Sequence, residues 1–476
     1  MSPAAERSDR SAHSEEAAIP GLEMSLWEQM LAPENLSRAL RRVRANRGAP
    51  GVDGMTTEEL GPWLRQHWAA VREALDAGTY RPCPVRRVVI PKPGGGERLL
   101  GVPTCLDRLI QQAIAQVLTP IFDPFFSGSS FGFRPGRSAH QAVRVARRCV
   151  QDGLEWVVDV DLDRFFDRVQ FDVLMARVAR KVSDRTILKL IRSYLEAGVM
   201  VDGIKQATQE GTPQGSPLSP ILSNIMLDDL DRELWTRGHR FVRYADDLRV
   251  FVRSERAAQR VFDSVCGVIE RRLRLKVNRD KSSIRHAATA TLLGFGFFLH
   301  GGQVRIRLAP KAITRLKHQL RVLTRRNWGV SMDYRIGAIN RFTTGWMAYF
   351  RLADVASPFR DLDGWLRRRL RQIHWKHWKT AAARRHNLRI RGIPERNARR
   401  WGGSGKGYWR IAGSGILQVP TLAALGHPQP TGLVRTRPTL VLSGGPARYR
   451  HHLDAAGDGV DPAHGQWPDT DAVLFG

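Results

Sequence analysis

The chain has 476 residues, 42% of them apolar, which is enough material for about two to four domains with real cores. It carries 75 Lys and Arg against 46 Asp and Glu, a net charge of +29, and an excess of that size points to a polyanionic partner rather than to a neutral small molecule. No apolar run reaches the roughly 18 residues of a membrane-spanning helix, and Cys83, Cys105, Cys149 and Cys266 form no CxxC pair. A transmembrane segment, a zinc site and a disulfide framework are therefore not expected, and a reducing cytoplasm fits.

In chain order, residues 1–24 predict an unstructured leader that is not a secretory signal. Basic-faced and Trp-bearing amphipathic helices are predicted over 34–46 and 61–76, separated by the Gly- and Pro-containing loop Arg47–Gly54. Val85–Lys92 reads as a strand and Pro93-Gly-Gly-Gly96 as a turn, returning through Arg98-Leu-Leu-Gly-Val. Either this is a flexible surface hairpin, or its glycine amides and cations meet an anion. Helices follow over 107–118 and 139–150, on either side of the basic loop Phe131–Arg137, and then over 171–182 and 185–197. Gln214 stands before a long helix at 218–237, where its amide suits a base, a sugar or the helix cap.

Two Val- and Phe-rich strands, 238–242 and 248–253, flank Arg243-Tyr244-Ala245-Asp246-Asp247. An Asp in a turn needs no chemistry. Two adjacent carboxylates between apolar strands, however, repel unless a cation compensates, and oxygen-only ligation suits Mg2+. A Mg2+ pair serving phosphoryl transfer needs a third carboxylate. Glu155-Trp-Val-Val-Asp-Val-Asp161-Leu-Asp163 offers one, since period-two spacing puts Asp159, Asp161 and Asp163 on one strand face.

Beyond that hairpin, helices are predicted over 256–274, 311–326, 332–350 and 361–385, with Ile336, Ile339, Phe342 and Trp346 forming a core stripe. Between Arg367 and Arg400, thirteen Lys and Arg face a single acid, Glu395, with Trp365, Trp375, Trp378 and Trp401 in and around the run. Cations interleaved with aromatics suit phosphate contact plus base stacking, although a charge run is also an ordinary solvated face. Residues 431–476, rich in Pro, Gly and Asp, predict a loosely packed tail.

Tyr244-Ala-Asp-Asp247 in a hairpin, with Asp161-Leu-Asp-Arg-Phe-Phe166, resembles motifs C and A of a reverse transcriptase. Gly211–Pro220, Ser130–Ser138, Ile90–Pro93 with Arg98–Pro103, and Asn46–Gly54 add further blocks in the family's order. Together they resemble the group II intron reverse transcriptase/maturase family from residue 25 to about 415. The absence of a Cys/His endonuclease motif after that region resembles the bacterial class C members.

The resemblance implies an α+β right-hand polymerase, with fingers and an antiparallel palm sheet in 25–305, a helical thumb in 306–355 and a maturase domain in 356–430. Asp161, Asp246 and Asp247, with the Leu162 carbonyl, would hold two Mg2+. Lys92 and Arg98 would grip the triphosphate of the incoming dNTP, Gln214 would position it, and Phe166 would lie under its sugar. Lys281 would act near the pyrophosphate, and Gly294 and Phe295 would form a primer grip. Arg134, Arg137, Arg367, Arg368, Arg371, Lys376, Lys379, Arg384 and Arg385 would bind RNA. The implied partners are intron RNA, an RNA template with a DNA primer, and a DNA target site. Two alternatives share part of this pattern. One is a domesticated, defence-associated or diversity-generating reverse transcriptase, and the other is an RNA-binding splicing factor without polymerase activity.

Overall fold

The computed structural model describes residues 24–91, 97–201, 204–206, 211, 215–355 and 357–417. The predicted leader and the 431–476 tail lie outside the described residues, apart from Met24. Two compact units divide the chain, and both are discontinuous. Among the described residues, the first comprises the chain up to Pro124 and Val169–Ile225, the second Phe125–Arg168 and the chain from Met226.

The first unit begins with α1 (Leu26–Leu31), α2 (Pro33–Asn46) and α3 (Leu60–Asp76), then β1 (Val85–Pro91), β2 (Glu97–Val102) and α4 (Cys105–Phe122). The chain next contributes α5 (Ala139–Gln151) and β3 (Trp156–Val160) to the second unit. It returns to the first for α6 (Phe171–Val178), α7 (Arg185–Glu196), β4 (Val199–Val201) and β5 (Ile204–Gln206). The first unit's sheet has the order β2-β1-β4-β5. Its central helix is α4, whose Leu109, Ile110, Ala113, Ile114 and Leu118 are buried at helical spacing. The helix predicted to run to 182 stops at Val178, because Asp184 takes extended backbone and accepts from the Thr186 and Ile187 amides to start α7.

From α8 (Ser219–Thr236) the chain passes at Met226 into the second unit. There follow β6 (Arg240–Tyr244), β7 (Asp247–Val252), α9 (Glu255–Arg271), β8 (Ser283–His286), β9 (Thr291–Leu292), β10 (Phe295–His300) and β11 (Gln303–Leu308). Strands β6-β7-β3-β8 form one sheet, antiparallel throughout, as expected for a palm, and β11-β10-β9 form another. The helices α10 (Pro310–Leu323), α11 (Met332–Phe350), α12 (Ser357–His377), α13 (Ala381–Arg389), α14 (Glu395–Gly402) and α15 (Tyr408–Ala412) complete the unit.

Its main core joins α5, the palm sheet, β10 and β11 to α10, α11 and most of α12, with Ile339 fully buried and Ile336, Phe342 and Trp346 packed against it. A second core gathers Trp375, Trp378, Leu388, Ala398 and Ile411. The helix expected over 361–385 is thus two helices: α12 spans both cores, ending in the second at Trp375, and α13 serves the second alone. They part at Thr380, whose hydroxyl accepts from the Ala383 amide and caps α13.

Candidate active site

The antiparallel register of β3 and β7 builds the site. Asp159 lies opposite Arg249 and Val160 opposite Leu248, and one further step along the same register sets Asp161 opposite Asp247. The β6–β7 hairpin closes with Tyr244 opposite Asp247, so only Ala245 and Asp246 form the connection. Ala245 sits at φ 57, the left-handed conformation that a two-residue hairpin demands at its first corner. The two predicted site segments therefore meet at one end of one sheet.

Beyond β3, the Asp163 amide donates to the Lys276 carbonyl and the Asn278 amide to the Asp161 carbonyl, each at 2.8 Å. This bridge between Leu162 and Val277 does not use the Leu162 carbonyl. The Asp161 amide receives further support by donating to the Ser282 hydroxyl at 3.0 Å. Phe165 is core while Phe166 stays half-exposed on the same 3-10 turn, its ring edge-on to that of Phe165 with centroids 5.1 Å apart.

The acids around the turn are matched to cations. Arg249 pairs with Asp247 and, at 2.6 Å, with Asp159, while Arg168 pairs with Asp163 at 3.1 Å. Burial pushes Asp159 up to about 6 despite the pull of Arg249, with Asp247 adding to the push. Burial likewise raises the Asp161 carboxyl, Lys281 opposes that shift, and Asp247 and Asp163 reinforce it.

Among the described residues no three His, Cys, Asp or Glu side chains form a ready metal cluster. Of the expected triad, Asp247 pairs with Arg249, and Asp161 feels both Lys281 and the like charge of Asp247. The donor set still fits a hard divalent cation. It is all oxygen, it carries surplus negative charge at Asp161, and a cation would relieve that repulsion.

Two features of the turn were not anticipated from sequence. Arg243 is 1% and Asp231 0% exposed, and Arg243 Nε and Nη2 donate to the two Asp231 oxygens at 2.8 and 2.6 Å. The third guanidinium nitrogen, Nη1, donates to the Ala245 carbonyl at 2.8 Å, tying the hairpin corner to α8. The only available signal was a charged residue at an inward position of a buried strand. The second feature is Gly132. The Phe131 amide donates to the Arg243 carbonyl and the Arg243 amide to the Ser129 carbonyl, both at 2.9 Å, so segment 129–132 runs alongside β6. A Cβ on Gly132 would fall 2.1 Å from the Ala245 nitrogen and 2.8 Å from the Tyr244 carbonyl carbon. Those are backbone atoms, so Gly132→Ala must displace the turn. We expect a loss of about 1–3 kcal/mol of stability from overpacking and a larger fractional loss of activity, checked by thermal melting beside primer extension.

The other expected site residues are dispersed. Lys92 and Gln214, with the side chain of Arg98, lie outside the described residues. Lys281 is exposed and near enough to Asp161 to act on its charge. Gly294, at φ 86, turns the chain into β10, but Phe295 is 0% exposed and packs on Phe350 and Tyr349. Its ring is core, which leaves only backbone there to meet a primer.

The expected RNA face is largely committed to the fold. Arg134 is buried, donating to the Ser127 and Ser130 carbonyls, whereas Arg137 stays exposed, its guanidinium 5.8 Å from the Phe131 ring centroid. Arg367 pairs with Asp363, and Arg385 pairs with Glu395. Arg368 donates to the Trp409 carbonyl, Arg371 to that of Ala412, Lys376 to that of Arg326 and Arg384 to that of Trp378. Lys379 is exposed. Helix ends need such donors, and a Lys/Arg-rich sequence supplies them from within.

The reverse transcriptase (RNA-dependent DNA polymerase) family matches residues 90–297, and the group II intron maturase-specific domain matches residues 313–392. Protein YkfC of Escherichia coli strain K12 is 35% identical over 311 residues, 57% of this chain and 82% of YkfC. Group II intron-encoded protein LtrA of Lactococcus lactis subsp. cremoris is 35% identical over 208 residues, 44% of this chain but 34% of LtrA. Among solved structures, a chain of a partial Cas6-RT-Cas1–Cas2 complex aligns over 52% of this chain and 43% of that one, at 27% identity and a TM-score of 0.34. The chain belongs to the family of group II intron-encoded reverse transcriptase/maturases. No helix among the described residues is long and apolar enough to cross a membrane.

Proposed function

We propose that this protein copies RNA into DNA by metal-assisted nucleotidyl transfer at Asp161, Asp246 and Asp247, and that it binds the RNA of a group II intron in support of its splicing. The observation that supports the reading is the register of β3 on β7, which pairs Val160 with Leu248 and so brings the residues that follow and precede them, Asp161 and Asp247, to one end of the sheet.

Asp161, Asp246, Asp247 and the Leu162 carbonyl would hold two Mg2+, which would supply Lewis acidity toward a primer 3′-hydroxyl and the leaving pyrophosphate. The residues' own work is to hold geometry and charge. Arg249 orients Asp247, and Ser282 and Asn278 fix the backbone on either side of the Asp161 side chain. Phe166, half-exposed five residues past Asp161, is assigned to exclude a 2′-hydroxyl from the sugar site by steric fit. Lys92, Arg98, Gln214 and Lys281 are assigned to the nucleotide, with Lys281 at the pyrophosphate end.

The net charge of +29 suits an RNA partner, and the maturase-specific match at residues 313–392 suits a folded intron RNA. The test is primer extension by the purified chain on an RNA template. Extension with dNTPs should need Mg2+ and stop on chelation, and binding to RNA should fall steeply with salt. A chain that binds RNA but gives no extension with Mg2+ would instead be a splicing factor without polymerase activity.

A further inference from the structure

The α10–α11 loop and one face of α12 line an open cavity of about 600 Å³, bordered by Arg325, Arg326, Asn327, Arg369, Gln372 and Lys376. Four of these six residues are cations, and no acid is among them. Arg369, Gln372 and Lys376 share one face because their spacing is i, i+3 and i+7 on the helix.

The cavity is built rather than incidental. Arg335, fully buried, donates to the Leu323, Arg325 and Trp328 carbonyls and so fixes the loop from beneath. Arg369 Nε donates to the Thr324 hydroxyl at 2.5 Å, and its guanidinium lies 5.3 Å from the centroid of the Trp365 ring. Lys376 Nζ donates to the Arg326 carbonyl at 2.9 Å, and the Arg326 guanidinium lies 4.8 Å from the centroid of the Tyr408 ring. Arg369 and Lys376 thus lean on carbonyls at the end of α10, and no carboxylate among the lining residues neutralises them. Like charges press on one another here: burial holds Arg369 below the usual arginine range, and Arg321 and Arg326 add to that effect.

Gln372 supplies the second observation. It is 7% exposed and lines the cavity, yet its amide makes no hydrogen bond to any described residue. The amide therefore keeps its hydrogen-bonding capacity for a ligand that enters the cavity.

We propose that this cavity binds one unpaired, phosphate-bearing nucleotide of an RNA chain, with the phosphate on Arg325, Arg326, Arg369 and Lys376 and the base or ribose on the Gln372 amide. The volume accommodates a nucleotide, and unpaired bases are what side-chain amides read in RNA. The inference rests on the RNA-binding reading above but names a separate site, distant in sequence from the polymerase acids.

The test uses the full chain and three probes: an unstructured RNA decamer, an RNA duplex of equal length, and AMP. Gln372→Glu puts a carboxylate among the cations and should weaken the decamer by roughly tenfold, with little change in duplex binding and in extension on a short primer–template. Arg325→Ala is the second variant, because that side chain is exposed and this residue's hydrogen bonds are made by its backbone. It should cost a smaller factor in the same direction, with melting unchanged. Decamer affinity unchanged in both variants overturns the proposal, as does an equal loss for decamer and duplex. AMP should compete for the cavity in the wild-type chain and less so in both variants, and competition unaffected by either variant overturns the proposal. Wild-type extension accompanying any of these results would leave the polymerase reading standing, and its absence would count against that reading alone.

Discussion

Asp246→Asn and Asp247→Asn each reduce primer extension on an RNA template by on the order of 10²–10³-fold or more, the scale of removing one preorganised electrostatic partner of a transition state. Asn keeps the shape and a neutral oxygen, so what is lost is charge, the property a divalent cation needs from its ligand. The fold survives the change. Asp247 is about one-third exposed at its side chain, and Arg249 retains Asp159 as a partner when Asp247 is neutralised. Melting of the variants should therefore stay within a few degrees of wild type, and RNA affinity should hold, because that affinity comes from a basic surface and not from the acids. Near wild-type extension by either variant would remove Asp246 or Asp247 from the site. Loss of extension together with RNA binding and melting temperature would instead mean the acids serve the fold.

The hairpin was legible because two independent patterns agreed at Tyr244–Asp247: apolar strands on both sides and a connection too short for anything but a turn. Asp161 was legible for the same reason, since a Val-rich strand fixes which side chains share its face. What could not be read were relations that depend on how elements pack. Arg249 appeared as one more cation in an apolar run, and only the β3–β7 register reveals that it sits between Asp159 and Asp247. Phe295 belongs to a segment assigned to primer contact, yet the packing of β10 on α11 turns its ring inward. The run from Arg367 to Arg400 carries its charge in sequence without saying which cations face carbonyls. Arg368, Arg371 and Arg384 all do, so counting charges overstated the free basic surface. The cap at Thr380 was hidden by helix-favouring neighbours, which continue the periodic pattern through a break that tertiary packing imposes.

Disrupting the Asp231–Arg243 pair has the largest expected effect on stability. Both residues are almost wholly buried and joined by two hydrogen bonds, so removing one leaves an uncompensated charge inside the protein. Asp231→Ala or Arg243→Ala should cost about 3–5 kcal/mol, a shift of several degrees or more in melting temperature, and many copies will not fold at 25 °C. Arg243→Lys separates the structural role from the positional one. Lysine keeps the charge for Asp231 but lacks the fork that reaches two carboxylate oxygens and the Ala245 carbonyl at once. That variant should fold with a smaller loss, yet release the hairpin corner from α8 and blur the placement of Asp246. The expected signature is a fall in kcat beyond what the melting shift explains, with more Mg2+ needed for half-maximal extension and RNA affinity unchanged. Measuring the Mg2+ dependence of extension beside a melt decides it. If Arg243→Lys melts lower but extends at the wild-type rate and the same Mg2+ dependence below its transition, the pair braces the fold only, and the position of the turn is set by Gly132 and the β6–β7 register.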